Sequence, residues 1–134
     1  MTITELSGPK QIEDAAIEYV IDRERAEGRE ALDTRHHGPA DVVSGDRVIE
    51  VKACGTSSRG YELWLECRQY VAARDDPEHF WLYLVENVAQ GDPGQFRLIR
   101  LGGARLQELL DRAKEHRHWT VPVPVAVYDS AAEG

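Results

Sequence analysis

The stretch Asp41-Val42-Val43-Ser44-Gly45-Asp46-Arg47-Val48-Ile49-Glu50-Val51-Lys52 reads as one β-hairpin whose charged side chains gather on one face. Gly45-Asp46 is a two-residue turn of the primed kind: glycine accepts a positive φ without steric cost, and the residues beyond the turn are β-branched. Register then follows by counting. Ser44 pairs with Arg47, Val43 with Val48 and Val42 with Ile49, so Asp41 falls opposite Glu50 and both side chains leave the same face. Lys52, two residues past Glu50, joins them because strand side chains alternate. Val42, Ile49 and Val51 point the other way, into the expected core.

On the N-terminal side, Ser7-Gly8-Pro9 opens a helix with a capping hydroxyl and a proline in the first turn. Ile12, Ala15, Ala16, Tyr19, Val20 and Arg23 recur at helical spacing, and Gly28 stops the helix, which is expected over about 10–27. A short strand is expected within 30–35, followed by a loop carrying His36 and His37. After the hairpin, which extends to about Cys54, residues 55–60 form a loop by composition. Tyr61-Glu62-Leu63-Trp64-Leu65 alternates like a third sheet strand, with Trp64 in the core. A short helix over 66–74 follows, with Glu66 as N-cap and Gln69 completing a loose capping box. Residues 79–88 are almost wholly apolar, as in a strand buried on both faces, with Trp81 and Tyr83 in the core. Gly91-Asp92-Pro93-Gly94 turns the chain into a strand over 96–101. Gly102-Gly103 then breaks before a helix over 104–116 with Leu106, Leu109 and Leu110 on its inner face. The tail 121–128 is expected as a last strand, which Pro122 and Pro124 confine to a sheet edge, and 129–134 are expected to be a disordered tail. Together these elements predict one α/β domain over 1–134 with its core within 8–128. Its architecture is restriction-endonuclease-like, a mixed β-sheet flanked by helices.

The chain has 134 residues, enough for one core without disulfide or metal staples. Its 24 acidic and 16 basic residues make it acidic, which argues against a free-standing electrostatic clamp on nucleic acid. Charge is uneven, however: residues 1–30 hold eight acids against four bases, and residues 97–118 hold six bases against three acids. Cys54 and Cys67 lack the spacing of a zinc site or redox motif, the pattern of a reduced, cytoplasmic protein. There is no signal sequence and no apolar run near the ~20 residues that span a bilayer, so no membrane partner is expected.

Asp41, preceded by Pro39-Ala40 and followed by Glu50-Val51-Lys52, resembles the active-site signature of the PD-(D/E)XK nuclease superfamily. A closer resemblance adds blocks in the same order. The run 16–29 (AIEYVIDRERAEGR), Asp41, Ile49-Glu50-Val51-Lys52 and Phe80-Trp81-Leu82-Tyr83-Leu84-Val85 are similar to the domain named for the C-terminal region of the plant protein NO VEIN. That domain is a relative of the superfamily found with helicases and with bacterial defence or restriction systems. The resemblance spans roughly 12–101. It implies that Asp41 and Glu50 bind a catalytic Mg²⁺ or Mn²⁺, that Lys52 is the active-site lysine, and that Glu24 is the first-helix acid that also ligates metal. The Val51 backbone carbonyl is a third ligand by the same resemblance. The chain departs from the family at Glu66-Cys67-Arg68-Gln69-Tyr70, where Gln69 stands in place of an acid.

Such a residue set suits phosphodiester hydrolysis, in which a doubly charged transition state needs neutralising and water must become a nucleophile. The expected function is a DNA-cutting, Mg²⁺-dependent nuclease of a defence or DNA-processing system, supplied with DNA by a helicase, a recognition subunit or a second copy. Bland alternatives accompany each residue. The Asp41/Glu50/Lys52 trio also fits a solvated sheet face with an ion pair worth under about 1 kcal/mol. Glu18 is the second choice to Glu24 as metal-binding acid, and Glu24 also fits an exposed helix charge; His36 and His37 fit either a substrate contact at the site mouth or inert loop residues. Arg100, Arg105 and Arg112 fit either a phosphate contact or a solvated helix face. At the level of the whole chain, the rivals are a non-catalytic nuclease-fold module that binds nucleic acid or protein, and an acidic regulatory protein that mimics DNA.

Overall fold

The structure, a computed structural model, describes residues 6, 8–38, 40–116 and 120–132. Helix α1 (Pro9–Ala26) has Pro9 in its first turn and Gly8 at the N-cap; the predicted cap, Ser7, lies outside the described residues. Gly28, at φ +89°, ends it as expected. Strands β1 (Ala31–Asp33), β2 (Val42–Ser44) and β3 (Arg47–Ala53) follow, then α2 (Cys67–Asp75) and β4 (Phe80–Glu86). Two short 3₁₀ turns (Val88–Gln90 and Pro93–Gln95) lead to β5 (Arg97–Gly102), α3 (Gly103–Asp111) and α4 (Val125–Ala131).

The five strands form one mixed sheet in the order β1-β2-β3-β4-β5. Only the β3/β4 pair is parallel, as its connection through α2 requires; the other three pairs are antiparallel. The β2/β3 register is the one counted from the turn: Val42 opposite Ile49, Val43 opposite Val48, Ser44 opposite Arg47. Gly45 carries the positive φ, +58°, on which that register depends.

Two cores sit on the two faces. On one, Ala16, Ile17 and Val20 of α1 pack against Val42, Ile49, Val51, Tyr83 and Val85. On the other, Ala73 of α2 and Leu106 and Leu110 of α3 cover Phe80, Leu82 and Leu84. Each fully buried aliphatic side chain contributes roughly 1.5–3 kcal/mol relative to exposure. Arg74 ties the second layer together, reaching Asp111 on α3 at 2.7 Å, while Gln107 donates to the Ala73 carbonyl at 3.0 Å.

Four expectations are corrected. Residues 61–65 form no strand, and Trp64 is exposed rather than in the core. The alternating pattern is present, but the edge of β3 beside which the segment would have to lie is taken by β4, and β4 is in turn flanked by β5. The tail is not an edge strand: Pro122 and Pro124 offer no N–H, and a helix starts as soon as the last proline is passed, with Tyr128 N–H donating to the Pro124 carbonyl. Asp129, Ser130 and Ala131 therefore belong to α4 rather than to a disordered tail; 133–134 lie outside the described residues. Leu109 lies at the margin of α3, 47 % exposed.

Candidate functional site

Asp41 stands immediately before β2, held by its backbone. Its N–H donates to the Ile49 carbonyl at 3.0 Å and its carbonyl accepts from Thr34 N–H at 2.8 Å, while Thr34 Oγ1 donates to the Ala40 carbonyl at 2.9 Å. The Asp41 side chain is also aimed: Oδ2 accepts from Val51 N–H at 2.9 Å. Thr34, which carries no signal of function in the sequence, is thus a positioning residue for the acid.

Glu50 sits on the face covered by α2 and α3, level with Leu82 of β4, and is only 3 % exposed. Its Oε2 is buried with no hydrogen-bond partner. Burial, followed by hydrogen bonding with the Asp41 carboxyl and by the Asp41 charge, pushes the Glu50 carboxyl up to about 9; the Lys52 ammonium pulls it down and Glu66 raises it further. At neutral pH the Glu50 carboxyl therefore holds its proton. Lys52, two residues on and level with Leu84, is half-buried and makes no ion pair within 4 Å among the described residues. Asp41 and Lys52 thus lie close enough to Glu50 to act on its carboxyl, although Asp41 precedes the paired residues of β2 and its N–H bonds the carbonyl of Ile49. The face is not solvated at Glu50, which removes the surface-ion-pair reading for that residue.

Glu24 is not with them. It is fully buried on the opposite face of the sheet, under α1, and both its oxygens are engaged. Oε1 accepts from Arg29 at 3.2 Å and lies 4.0 Å from Arg47; Oε2 accepts from Arg100 at 2.9 Å and from the Tyr83 hydroxyl at 3.2 Å. Arg29 and Arg100 also pair with Glu27, and Arg47 donates to the Tyr83 hydroxyl at 2.7 Å while stacking over Trp81. Burial raises the Tyr83 phenol above its ordinary value, an effect that the Arg47 hydrogen bond opposes. Glu24 is the hub of an ionic cluster joining α1 to β3, β4 and β5, and its lone pairs are spent there.

The remaining candidates scatter. Glu18 is exposed on α1, beside a groove of about 440 Å³ that includes Asp14, Asp22 and Arg35. His36 and His37 are exposed in the turn before Asp41. Gln69 closes the capping box of α2, accepting from Glu66 N–H at 2.9 Å. Arg100 is committed to Glu24 and Glu27, apart from the exposed Arg105 and Arg112, so the three do not form one anion site. Arg117, counted in the basic segment, lies outside the described residues, as does Pro39. Among the described residues no group of three or more Asp, Glu, His or Cys side chains is placed to hold a metal, so the candidate centre is the Asp41/Glu50 pair. No helix among them is long and apolar enough to cross a membrane.

Sequence reading did not single out Arg47 or Glu86, and it placed Tyr83 in the core without assigning its hydroxyl a partner. Glu86, at the end of β4, is buried and accepts from Ser58 N–H at 2.5 Å, Ser58 Oγ at 2.8 Å and Ser57 Oγ at 3.3 Å. The Ser58 N–H is the largest influence holding its carboxyl below the usual range.

No curated protein and no solved structure matches the chain. A family model does, over residues 12–99, a span that holds Glu24, Asp41, Glu50 and Lys52 and runs from α1 into β5. With well over half of its length matched, the chain belongs to the family described as Protein NO VEIN, C-terminal.

Proposed function

We propose that this domain is a divalent-metal-dependent nuclease of the PD-(D/E)XK type, with a restriction-endonuclease-like fold and DNA as its substrate. The observation that carries the reading is the buried, unpartnered Oε2 of Glu50 beside Asp41, with Lys52 next on the same face. A carboxyl taken out of water with an oxygen left unsatisfied costs stability unless something compensates it. A hard cation does, and Mg²⁺ needs only one or two carboxylates because water and phosphate oxygens complete its shell. The donor set thus fits Mg²⁺ or Mn²⁺, held by Asp41, Glu50 and, by family resemblance, the Val51 carbonyl. When bound, the ion would supply charge neutralisation at the phosphodiester and lower the pKa of an attacking water.

The chain's own residues do the rest. Val51 N–H fixes the Asp41 carboxylate, so the acid is pre-aimed rather than ordered by its ligand. Glu50 gives up its proton on loading, which makes metal affinity rise with pH. Lys52, unpaired among the described residues, orients the attacking water and donates to the negative charge that builds on the non-bridging oxygens. The acidic chain as a whole gives little electrostatic hold on DNA, which favours delivery by a helicase, a recognition subunit or a second copy within a defence or DNA-processing system.

A rival reading, a nuclease fold kept only for binding, draws on the engagement of Glu24 elsewhere, which leaves two acids where the family resemblance implied three. The test is cleavage of plasmid and single-stranded DNA with Mg²⁺ or Mn²⁺ by wild type, Asp41→Asn and Lys52→Ala. The variants are expected to lose about 100-fold or more. Equal rates in all three proteins would refute the enzymatic reading, and tight metal-independent binding without cutting would establish the rival.

A further inference from the structure

The two edges of the sheet are treated differently. At β1 the Glu30 carbonyl and the Thr34 N–H face β2, bonding Gly45 and Asp41, so the backbone groups of Ala31 and Asp33 face outward. That edge is short and blunted: the Ala31 carbonyl accepts from Arg25 at 2.9 Å, and the Asp33 carboxylate accepts from the N–H and guanidinium of Arg35. Short length and charge are ordinary ways in which an edge is kept from pairing. β5 is longer, Arg97-Leu98-Ile99-Arg100-Leu101-Gly102, with no proline and no lysine, and among the described residues no strand lies beyond it. Arg100 is drawn inward to Glu24 and Glu27, which leaves Arg97, at the first position, as the exposed charge of the strand.

Parity identifies the open groups of β5. Val48 N–H donates to the His79 carbonyl and Cys54 N–H to the Val85 carbonyl, each at 2.8 Å, so odd-numbered residues of β4 turn their backbone groups to β3 and even-numbered ones to β5. Leu82, Leu84 and Glu86 therefore bond their register partners Leu101, Ile99 and Arg97, and the N–H and C=O groups of Leu98 and Arg100 face outward. An apolar side chain stands beside this edge. α2 packs on β4 and α3 on both β4 and β5. Gln107 and Asp111 of α3 meet Arg74 of α2, so Leu109, about 200° around the helix from each, lies on the flank away from α2, 47 % exposed.

We propose that the β5 edge pairs antiparallel with the β5 edge of a second copy of this chain, about a two-fold axis at Ile99, joining the two sheets into one. With the axis there, Leu98 exchanges both backbone hydrogen bonds with Arg100 of the second copy, and symmetry repeats the exchange. Ile99 meets Ile99, and Arg97 falls opposite Leu101, so no like charges face one another. An axis at Arg100 would set the two arginines face to face. An axis at Leu98 would set Arg100 against Phe96, whose N–H is already given to the Pro93 carbonyl. β5 holds no residue of the candidate centre, so the inference stands apart from the nuclease reading.

The test needs no ligand. Molar mass is measured by light scattering over micromolar concentrations for the intact wild-type chain, Leu98→Pro and the double variant Val123→Asp/Val125→Asp, with residue-resolved amide exchange of the wild type at a dilute and a concentrated point. Proline at 98 removes an outward N–H and leaves the donors that bond β4 in place. Wild type is expected at twice the mass of one chain, and Leu98→Pro at half the wild-type mass with an unchanged far-UV spectrum. The valine variant, altered where the side chains are exposed, is expected to match wild type. On concentration the amides of Leu98 and Arg100 slow by about tenfold or more, following the dimer fraction; this readout decides the matter if Leu98→Pro does not fold. A wild type that stays monomeric overturns the inference, as does a folded Leu98→Pro that remains a dimer, or exchange at Leu98 and Arg100 that is equal at both concentrations. Mass halved by the valine variant would overturn it too and hand the interface to the C-terminal segment.

Discussion

Replacing Glu50 by Gln should stabilise the metal-free protein while destroying its site. The Glu50 carboxyl is raised to about 9 in the folded chain from an ordinary value of 4.5. Between those limits the folded state holds a proton that the unfolded state has released, so the unfolded state binds fewer protons and stability falls as pH rises. The contribution of Glu50 is complete below about pH 4.5 and declines through the window up to about 9. The slope is on the order of 1 kcal/mol per pH unit for one full proton. The loss amounts to a few kcal/mol by pH 8. Gln is nearly isosteric and cannot ionise. Glu50→Gln should therefore match wild type near pH 5 and exceed it increasingly above pH 6, by about 4 °C in Tm per kcal/mol for a domain of this size. Melting curves in EDTA from pH 5 to pH 9 measure this directly, and the same curves with Mn²⁺ should show stabilisation of wild type that Glu50→Gln lacks. A Tm difference between the two proteins that stays constant across pH would refute the raised carboxyl. A variant less stable than wild type at pH 8 would refute the idea that the unpartnered Oε2 is a cost.

Other substitutions separate structure from chemistry. Glu24→Ala leaves Arg29, Arg47 and Arg100 around an uncompensated cavity and should cost about 3–5 kcal/mol in urea unfolding. Mn²⁺ affinity of the folded fraction should be unchanged, and a large loss of affinity would place Glu24 back in the centre. Gly102→Ala puts a methyl 2.5 Å from the Trp81 ring, opposite it across β4/β5, and should lower stability by about 1–3 kcal/mol; an unchanged Tm would contradict that close approach. Thr34→Val removes the hydroxyl that holds the Ala40 carbonyl and should lower Mn²⁺ affinity more than Tm, since it loosens Asp41 without emptying the core; equal affinity would remove Thr34 from the positioning role.

The hairpin was legible because its two determinants are local. Gly45 fixes a turn and the period of two fixes every face from it, so Asp41, Glu50 and Lys52 could be brought together by counting alone. Residues 61–65 show the limit of the same logic. Alternation says that a segment suits a pleated, half-buried surface, but whether a strand edge is free depends on the global order β1-β2-β3-β4-β5, which no window of sequence contains. The tail failed for a different reason: two prolines announced an irregular segment, and the short helix forms only beyond them.

The placement of Glu24 was written in the sequence, in two patterns that had to be combined. Ala16, Val20 and Glu24 succeed one another at i, i+4, so Glu24 prolongs the buried stripe of α1 rather than its exposed face. The hairpin sends Ile49 and Val51 toward α1 and Glu50 and Lys52 away from it, because alternate side chains cannot share a face. An acid on the inner stripe of α1 therefore lies across the sheet from the acidic pair. Its compensation follows from the same parity: Arg47 alternates with Ile49 and Val51 and must point at α1, and Arg100, paired across β4/β5 with Tyr83, points there too. One sheet thus separates two charge clusters with opposite properties. On the α1 side every oxygen of the buried acid is met by Arg or Tyr, although Arg100 Nε in the same cluster is itself buried without a partner. On the other side a buried acid keeps an oxygen unmet beside a second carboxylate and a lysine with no ion pair among the described residues, and on the proposed reading that is the side that would take a cation and a phosphodiester.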